Sequence, residues 1–514
     1  MNSNKQKSYI YPILAISLLL VILFASTYFV QSALADIGHP SRNISMISKS
    51  DLQTDENNTL YLPLISNRYP PKSIYGVELI NIRENTGLEL ILEAGSKWSR
   101  SGEVAWMNVQ PEEGIEPNWA ALADTEQQWV IAAEKGLKNI VVVDSAPEWA
   151  RLYKDYSCGP IKEDKLDAFA VFVSKLVRRY SQPPWNIKHW EFWNEPDISR
   201  TIVYNPDSSI GCWGDEFDEY YGGGYYAEML KRVYPAVKSA DPAAKVLVGG
   251  LLLDCDPRHE GACGDGYHGH GDLPPKFLRG ILANDGKEYF DGVSFHAYEF
   301  YLYELGVYGN ALWASDSNRT GPVLLAKLDY LTELLTEYNA SDKSLYVTEN
   351  GLLWYCDDDP NTWPTECGDQ ETFELTKAYY VAQTYAVANR AATLNRLQAN
   401  NWWSIYGWKE SGLIEPYTYT PLPAYFAYSF SAVQLQGADY LRDISDYPGV
   451  MGYEFRKDSS LIWIIWSLDG AAHDIQLPSI PTAGNHVNGE LLDTDILNGI
   501  LLKATLEPIY IRWD

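Results

Sequence analysis

From residue 74 onward, short runs rich in Val, Ile, Tyr, Phe and Trp alternate with stretches whose apolar residues recur every three or four positions. This is the pattern of parallel strands joined by crossover helices. The strand candidates are IYGVELI (74–80), the region around SKWSR (96–100), NIVVVD (139–144), IKHWEFW (187–193), KVLVG (245–249), DGVSFH (291–296), SLYVT (344–348) and WWSIYG (402–407). Helical spacing is plainest where Leu166, Phe169, Ala170, Val173, Leu176 and Val177 share one face, and segments 323–338 and 372–392 behave likewise. Eight strand–helix units predict the α/β class and a (β/α)8 TIM barrel over 71–437. An open doubly wound sheet competes, but no glycine-rich phosphate fingerprint follows any of these strands.

Past residue 438 the helical spacing stops. MGYEFRKDSSLIWIIWSLDG has the form of a β-hairpin turning at KDSS, and HDIQLP and ATLEPIYIRW add short strands, so 438–514 reads as a small C-terminal antiparallel β domain. At the other end, Lys5 and Lys7 precede the apolar run YPILAISLLLVILFASTYFV and then Ala33-Leu34-Ala35. Residues 1–35 therefore read as a signal peptide or an uncleaved membrane anchor, either of which exports the rest to the cell surface or beyond. The polar stretch 36–70 reads as a linker.

Charge narrows the partners. Forty Lys and Arg against 68 Asp and Glu give a formal charge of −28, which repels nucleic acid and anionic membrane surfaces. Six cysteines fit three disulfides in an oxidising compartment; sequence proximity favours Cys255 with Cys263 and Cys356 with Cys367, leaving Cys158 for Cys212.

Chemistry in such barrels sits where the C-terminal ends of the strands meet. HWEFWNEPD ends the fourth strand candidate on Glu195, and LYVTENG ends the seventh on Glu349. Two carboxyls facing one pocket suit glycoside cleavage, one delivering a proton to the leaving oxygen and the other attacking the anomeric carbon. WNEPD followed by VTENG resembles the acid/base and nucleophile motifs of the retaining glycoside hydrolases of clan A, with β-xylosidase-like and family-five-like members among those it is similar to. The resemblance implies that Arg100 lies near the nucleophile, that Asn194 binds the sugar 2-hydroxyl, that Tyr298 hydrogen-bonds the nucleophile, and that His296 and Trp408 line the sugar pocket. Many clan members carry a histidine near the end of strand three, where this chain has VVVDSAPEWA; Asp144, Glu148 or Trp149 is expected to take over sugar contacts there.

Most of the 18 tryptophans and 37 tyrosines are expected in the core, with Trp149, Trp354 and Trp408 beside strand ends the exceptions. The loop DCDPRHEGACGDGYHGHGD concentrates His259, Cys263, Asp265, His268, His270 and Asp272, but its spacings match no zinc pattern, and no metal is expected there. The expectation is an exported retaining β-glycosidase that binds a carbohydrate substrate and needs no cofactor. A barrel that binds carbohydrate without turnover and a transglycosylase are the alternatives.

Overall fold

The computed structural model describes residues 73–83, 86–201, 203, 210–259, 263, 275–355 and 368–514. The N-terminal apolar run, the polar stretch after it, Cys356, Cys367 and Asp265, His268, His270 and Asp272 lie outside the described residues.

Eight strands build the barrel: β1 Tyr75–Val77, β2 Trp98–Ala105, β3 Lys138–Asp144, β4 His189–Asn194, β5 Lys245–Leu251, β6 Gly292–Tyr301, β7 Ser344–Leu353 and β8 Leu397–Trp402. Each pairs in parallel with the next, and β8 pairs with β1 to close the ring. Alternation along the strands divides their side chains. Trp98, Ile140, Leu247, Tyr346 and Ala399 fill an interior layer, whereas Val141, Val143, Trp190, Phe192, Val246 and Val248 belong to the larger core that includes the helices. The helix Leu166–Tyr180 presents to that core the face its spacing predicts, with Phe169, Val173, Leu176 and Val177 fully buried. The helices Val323–Glu337 and Gln370–Leu394 also fall where expected.

Five strands differ from expectation by three residues or more; of these β1 ends early at Val77 and β6 runs on to Tyr301. β8 is LQANNW rather than WWSIYG, sharing only Trp402 with the expected segment; Asn400 and Asn401 are buried polar residues in the barrel, which breaks the apolar pattern of a buried strand. Asn401 fits because β1 carries Gly76 opposite it: a Cβ there would stand 2.1 Å from Asn401 Oδ1. β2 runs on past Arg100 through an irregularity between Arg100 and Glu103. Gly102 lies there with φ 84°, a left-handed conformation natural to glycine. β7 does not stop before Glu349. It continues to Leu353 because β6 and β7 stay paired from Gly292 with Ser344 to Phe300 with Leu353.

The last described helix, Pro423–Leu435, is followed by antiparallel strands. Asp439–Asp443, Val450–Lys457, Ser460–Ser467, Ile509–Trp513 and Ala483–Asn485 form a five-stranded sheet, and His473–Gln476, Leu501–Ala504 and Leu497–Asn498 a three-stranded one. Lys457 pairs with Ser460, so the hairpin turns on Asp458 and Ser459, with Asp458 at φ 53°. On the strand Ser460–Ser467, Ile462, Ile464 and Trp466 join the core that holds the barrel helices. Trp463 and Ile465 face a second core with Ile475, Leu502 and Ile511.

Two disulfides tie the loops that follow β3, β4 and β5. Cys158 bonds Cys212 and Cys255 bonds Cys263, the two expected pairs within the described residues.

Candidate active site

At the end of β4 the chain leaves the sheet through two strained positions, Trp193 at φ 69° and Glu195 at φ 48°. Left-handed backbone at such residues costs about 1–2 kcal/mol each and persists only where the surroundings hold it. They do: the Glu195 N–H donates to the Gly250 carbonyl at 2.9 Å, and the Gly211 N–H donates to the Asn194 carbonyl at 2.5 Å. The turn swings the Glu195 side chain over the barrel mouth. Glu349, inside β7, pairs in register with His296 of β6.

These strands bring the carboxyls together. His296 Nδ1 lies 2.8 Å from Glu195 Oε1 and 3.3 Å from Glu349 Oε2. One oxygen of each carboxyl and one His296 nitrogen all lie within 4.8 Å of one another. His296 is fully buried and meets the carboxyls from within the barrel, so it bridges the pair rather than lining an open pocket. Gly250 makes room for it: a Cβ there would stand 2.4 Å from His296 Nε2.

Both Glu349 oxygens accept hydrogen bonds, from Arg100 Nη1 at 2.6 Å on Oε1 and from the Tyr298 hydroxyl at 2.5 Å on Oε2. Arg100 is itself fixed on every side. Its Nε and Nη2 donate to Glu191 Oε1 at 3.0 and 2.7 Å, Nη2 donates to Asn194 Oδ1 at 2.6 Å, and Nη1 lies 3.5 Å from Glu78 Oε2. Such a guanidinium holds several carboxylates at fixed geometry where a lysine would offer a point charge.

The titrations differ in cause. Burial raises the Glu195 carboxyl to about 7, against the opposing pull of Arg100 and Lys327, so it carries a proton well into the neutral range. Burial lowers His296 to about 4, leaving it a neutral imidazole, and burial together with Glu349 holds the Tyr298 hydroxyl well above its ordinary value, a permanent donor. Lys327, lowered by burial to about 8, donates to the carbonyls of His296 and Leu252 at 2.9 and 2.8 Å and ties β6 to the loop after β5.

Glu195, His296 and Glu349 present the donor types of a cation site. However, Arg100 and Tyr298 already occupy both Glu349 oxygens, and their hydrogen-bonding atoms leave the guanidinium where a cation would compete with it. In the loop after β5, where no metal is expected, His259 Nδ1 lies 3.1 Å from Asp256 Oδ2, which Arg258 also contacts, and Cys263 is in a disulfide.

The remaining sequence candidates differ in exposure. Trp408 is 50% exposed and meets Tyr355 edge-on at 5.9 Å. Trp354 stacks on Phe373 at 5.0 Å, and Trp149 packs edge-on against Trp106 at 5.0 Å while its Nε1 donates to the Gln110 carbonyl at 3.3 Å. Glu148 is an exposed partner of Lys154, whereas Asp144 is buried at the end of β3. Sequence reading missed Glu78, Glu191, Lys327 and Asp197, which accepts from the Leu252 and Leu253 N–H groups at 2.9 Å each. Glu191 and Glu78 each left a signal as a charge within an apolar run, HWEFWN and IYGVELI, and Asp197 closes the motif WNEPD, whereas Lys327 left none.

No protein-family model matches this sequence, and no curated protein does. Solved structures share its fold. A family 39 glycoside hydrolase from Bacteroides cellulosilyticus is 19% identical with a TM-score of 0.61, over 87% of this chain and 81% of that one. A family 30 subfamily 8 xylanase from Clostridium acetobutylicum is 14% identical with a TM-score of 0.51, over 86% and 97%. A conserved exported protein from Bacteroides fragilis is 14% identical with a TM-score of 0.53, over 81% and 88%. The chain has the barrel fold of these structures, the first two of which are glycoside hydrolases.

Proposed function

We propose that this protein is an exported retaining β-glycosidase that cleaves O-glycosidic bonds by double displacement. The observation that carries the reading is the approach of Glu195 and Glu349, whose oxygens come within 4.8 Å across His296. Carboxyls about 5–5.5 Å apart leave room for direct attack on the sugar, whereas inversion needs about 6.5–9.5 Å to admit a water. The shared barrel fold supports the same reaction class, and two disulfides and the exported neighbour support the export.

In the first step Glu195, protonated at neutral pH because burial disfavours its charge, gives its proton to the leaving oxygen while Glu349 attacks the anomeric carbon from the opposite side. Departure of the leaving group charges Glu195, which then takes a proton from water as that water displaces Glu349 and frees the sugar. Arg100 and Tyr298 aim the nucleophile, and as the glycosyl ester forms, the hydrogen bond from each is free to follow the charge that leaves it. Asn194, anchored through Arg100, holds the sugar 2-hydroxyl. Trp408 and Trp149 supply aromatic faces at the rim.

Residues 36–514 assayed on aryl β-glycosides and on plant and microbial polysaccharides test this. Turnover is expected on at least one, and Glu349→Gln is expected to lower kcat by at least a thousandfold with the fold intact. Saturable binding without product across the panel would replace the hydrolase with a carbohydrate receptor.

A further inference from the structure

Groups that the reaction leaves unused close a ring of bonds around Glu195. Asp197, the last residue of WNEPD, is buried, and its two carboxyl oxygens accept separately from the Leu252 and Leu253 N–H groups at 2.9 Å each. Burial raises this carboxyl to about 7 against the pull of those two bonds. Leu252 and Leu253 follow β5, and Leu253 stands at φ 48°, a left-handed conformation that a leucine keeps only where its surroundings hold it. Their carbonyls are held as well. Lys327 Nζ donates to the Leu252 carbonyl at 2.8 Å and Trp313 Nε1 to the Leu253 carbonyl at 2.6 Å, so every main-chain polar group of the pair has a partner. Lys327 also donates to the His296 carbonyl at 2.9 Å, and the His296 ring reaches back to Glu195, with Nδ1 2.8 Å from Oε1. The ring therefore leaves Glu195 through the backbone to Asp197, passes Leu252, Lys327 and His296, and returns at the Glu195 carboxyl.

Two features separate this ring from ordinary packing. The N–H groups of Gly211, Trp213 and Gly214 donate to the carbonyls of Asn194, Pro196 and Ile198, and these bonds tie the turn after β4 to a loop. Asp197 instead ties it to the end of the neighbouring barrel strand. Lys327, on the helix Val323–Glu337, is 3% exposed, and both its hydrogen bonds among the described residues end on neutral carbonyls. Burying an ammonium is costly, and an apolar residue would fill the same space without that cost.

We propose that Asp197 and Lys327 are positioning residues for Glu195, the first fixing the backbone from which its side chain springs and the second fixing the histidine on which its carboxyl rests. This deepens the glycosidase reading and rests on it. Proton delivery is sensitive to placement, a shift of about 1 Å being enough to cost on the order of a hundredfold. Glu349 is spared, because its donors Arg100 and Tyr298 stand outside the ring. Loss of either residue should therefore harm the proton transfer and leave the nucleophile in place.

The test measures kcat/KM on phenyl, 4-nitrophenyl and 2,4-dinitrophenyl β-glycosides of the best substrate sugar for wild type, Asp197→Asn and Lys327→Met. Dinitrophenolate departs without a proton, whereas phenol needs one on the oxygen of the breaking bond. Asp197→Asn keeps the shape and gives up one acceptor; its loss on the phenyl glycoside is expected to exceed its loss on the dinitrophenyl glycoside by about tenfold or more. Lys327→Met, which removes the buried charge at similar length, is expected to show the same split, and it carries the test if Asp197→Asn does not fold. Losses that are equal across the three leaving groups would mean that the substitutions merely loosen the fold, and they overturn the proposal, as does an unchanged rate on the phenyl glycoside.

If the wild type turns over no glycoside, crystal structures of the two variants read the ring without catalysis. The contact between His296 Nδ1 and Glu195 Oε1, 2.8 Å in the intact ring, is expected to open beyond about 3.5 Å, while Glu349 stays on Arg100 and Tyr298. That result keeps the positioning and sinks only the hydrolase reading. A contact retained in both variants overturns the proposal.

Discussion

At the scale of single residues, the acid/base group is prepared by burial and the nucleophile by donors. Because Glu195 is held protonated up to about 7, kcat/KM is expected to fall with rising pH above about 7, and a pH–rate profile checks this. The same shift acts on stability. A carboxyl raised from 4.5 to about 7 in the folded state contributes stability that is present below 4.5 and lost as pH rises through 7. Glu195→Gln, which cannot ionise, is therefore expected to gain ~1–3 kcal/mol on wild type between pH 4 and pH 8, the lower figure allowing for the side chain's 12% exposure. Denaturant unfolding at the two pH values measures it. Glu195 and Glu349 were legible because each ends a recognisable apolar run with a motif. Lys327 was not, since a single charge in a helix carries no mark of the partner that folding brings to it, and Glu78 stood inside the expected strand IYGVELI without marking Arg100 as its partner.

At the scale of elements, strand register decides which side chains meet. Gly250 of β5 gives His296 its place, so Gly250→Ala, whose Cβ would stand 2.4 Å from Nε2 and 3.0 Å from Thr348 Oγ1, is expected to push the imidazole off the carboxyls. We expect at least a tenfold loss of kcat/KM with little change in circular dichroism; an unaffected rate would mean that the histidine is dispensable. The Cys158–Cys212 bond joins the loops after β3 and β4 across 54 residues. Replacing both cysteines by serine is expected to lower stability by ~2–5 kcal/mol in denaturant unfolding. Six of the eight strands could be read from β-branched and aromatic runs, and β2 only as the region around Trp98. β8 escaped because Asn400 and Asn401 make a buried strand look like a loop, and their burial depends on residues elsewhere in the chain, such as Gly76 and Asn350, to which Asn400 Oδ1 is hydrogen-bonded at 3.0 Å.

At the scale of the whole molecule, barrel and β domain share one apolar core. Tyr453, Phe455, Trp466 and Tyr510 cluster with the barrel residues, Tyr510 meets Phe430 edge-on at 5.1 Å, and Arg390 bonds Asp443 at 2.8 Å. Residues 68–514 are accordingly expected to unfold in one calorimetric transition, and a chain ending at 437 to be insoluble or to melt at least 10 °C lower. The change of composition near 438 announced the β domain, but the contacts that join it to the barrel were invisible, because alternation shows that a strand has two faces without showing what each face meets. The central claim, that Glu349 attacks the sugar while Glu195 trades protons, is tested most directly by trapping. A 2-deoxy-2-fluoro β-glycoside with an activated leaving group, matched to the best substrate, slows release of the intermediate, and mass spectrometry of the peptides locates the label. The account predicts one fluoroglycosyl group on Glu349; turnover with the label on another residue, or product released with inverted configuration, would contradict it.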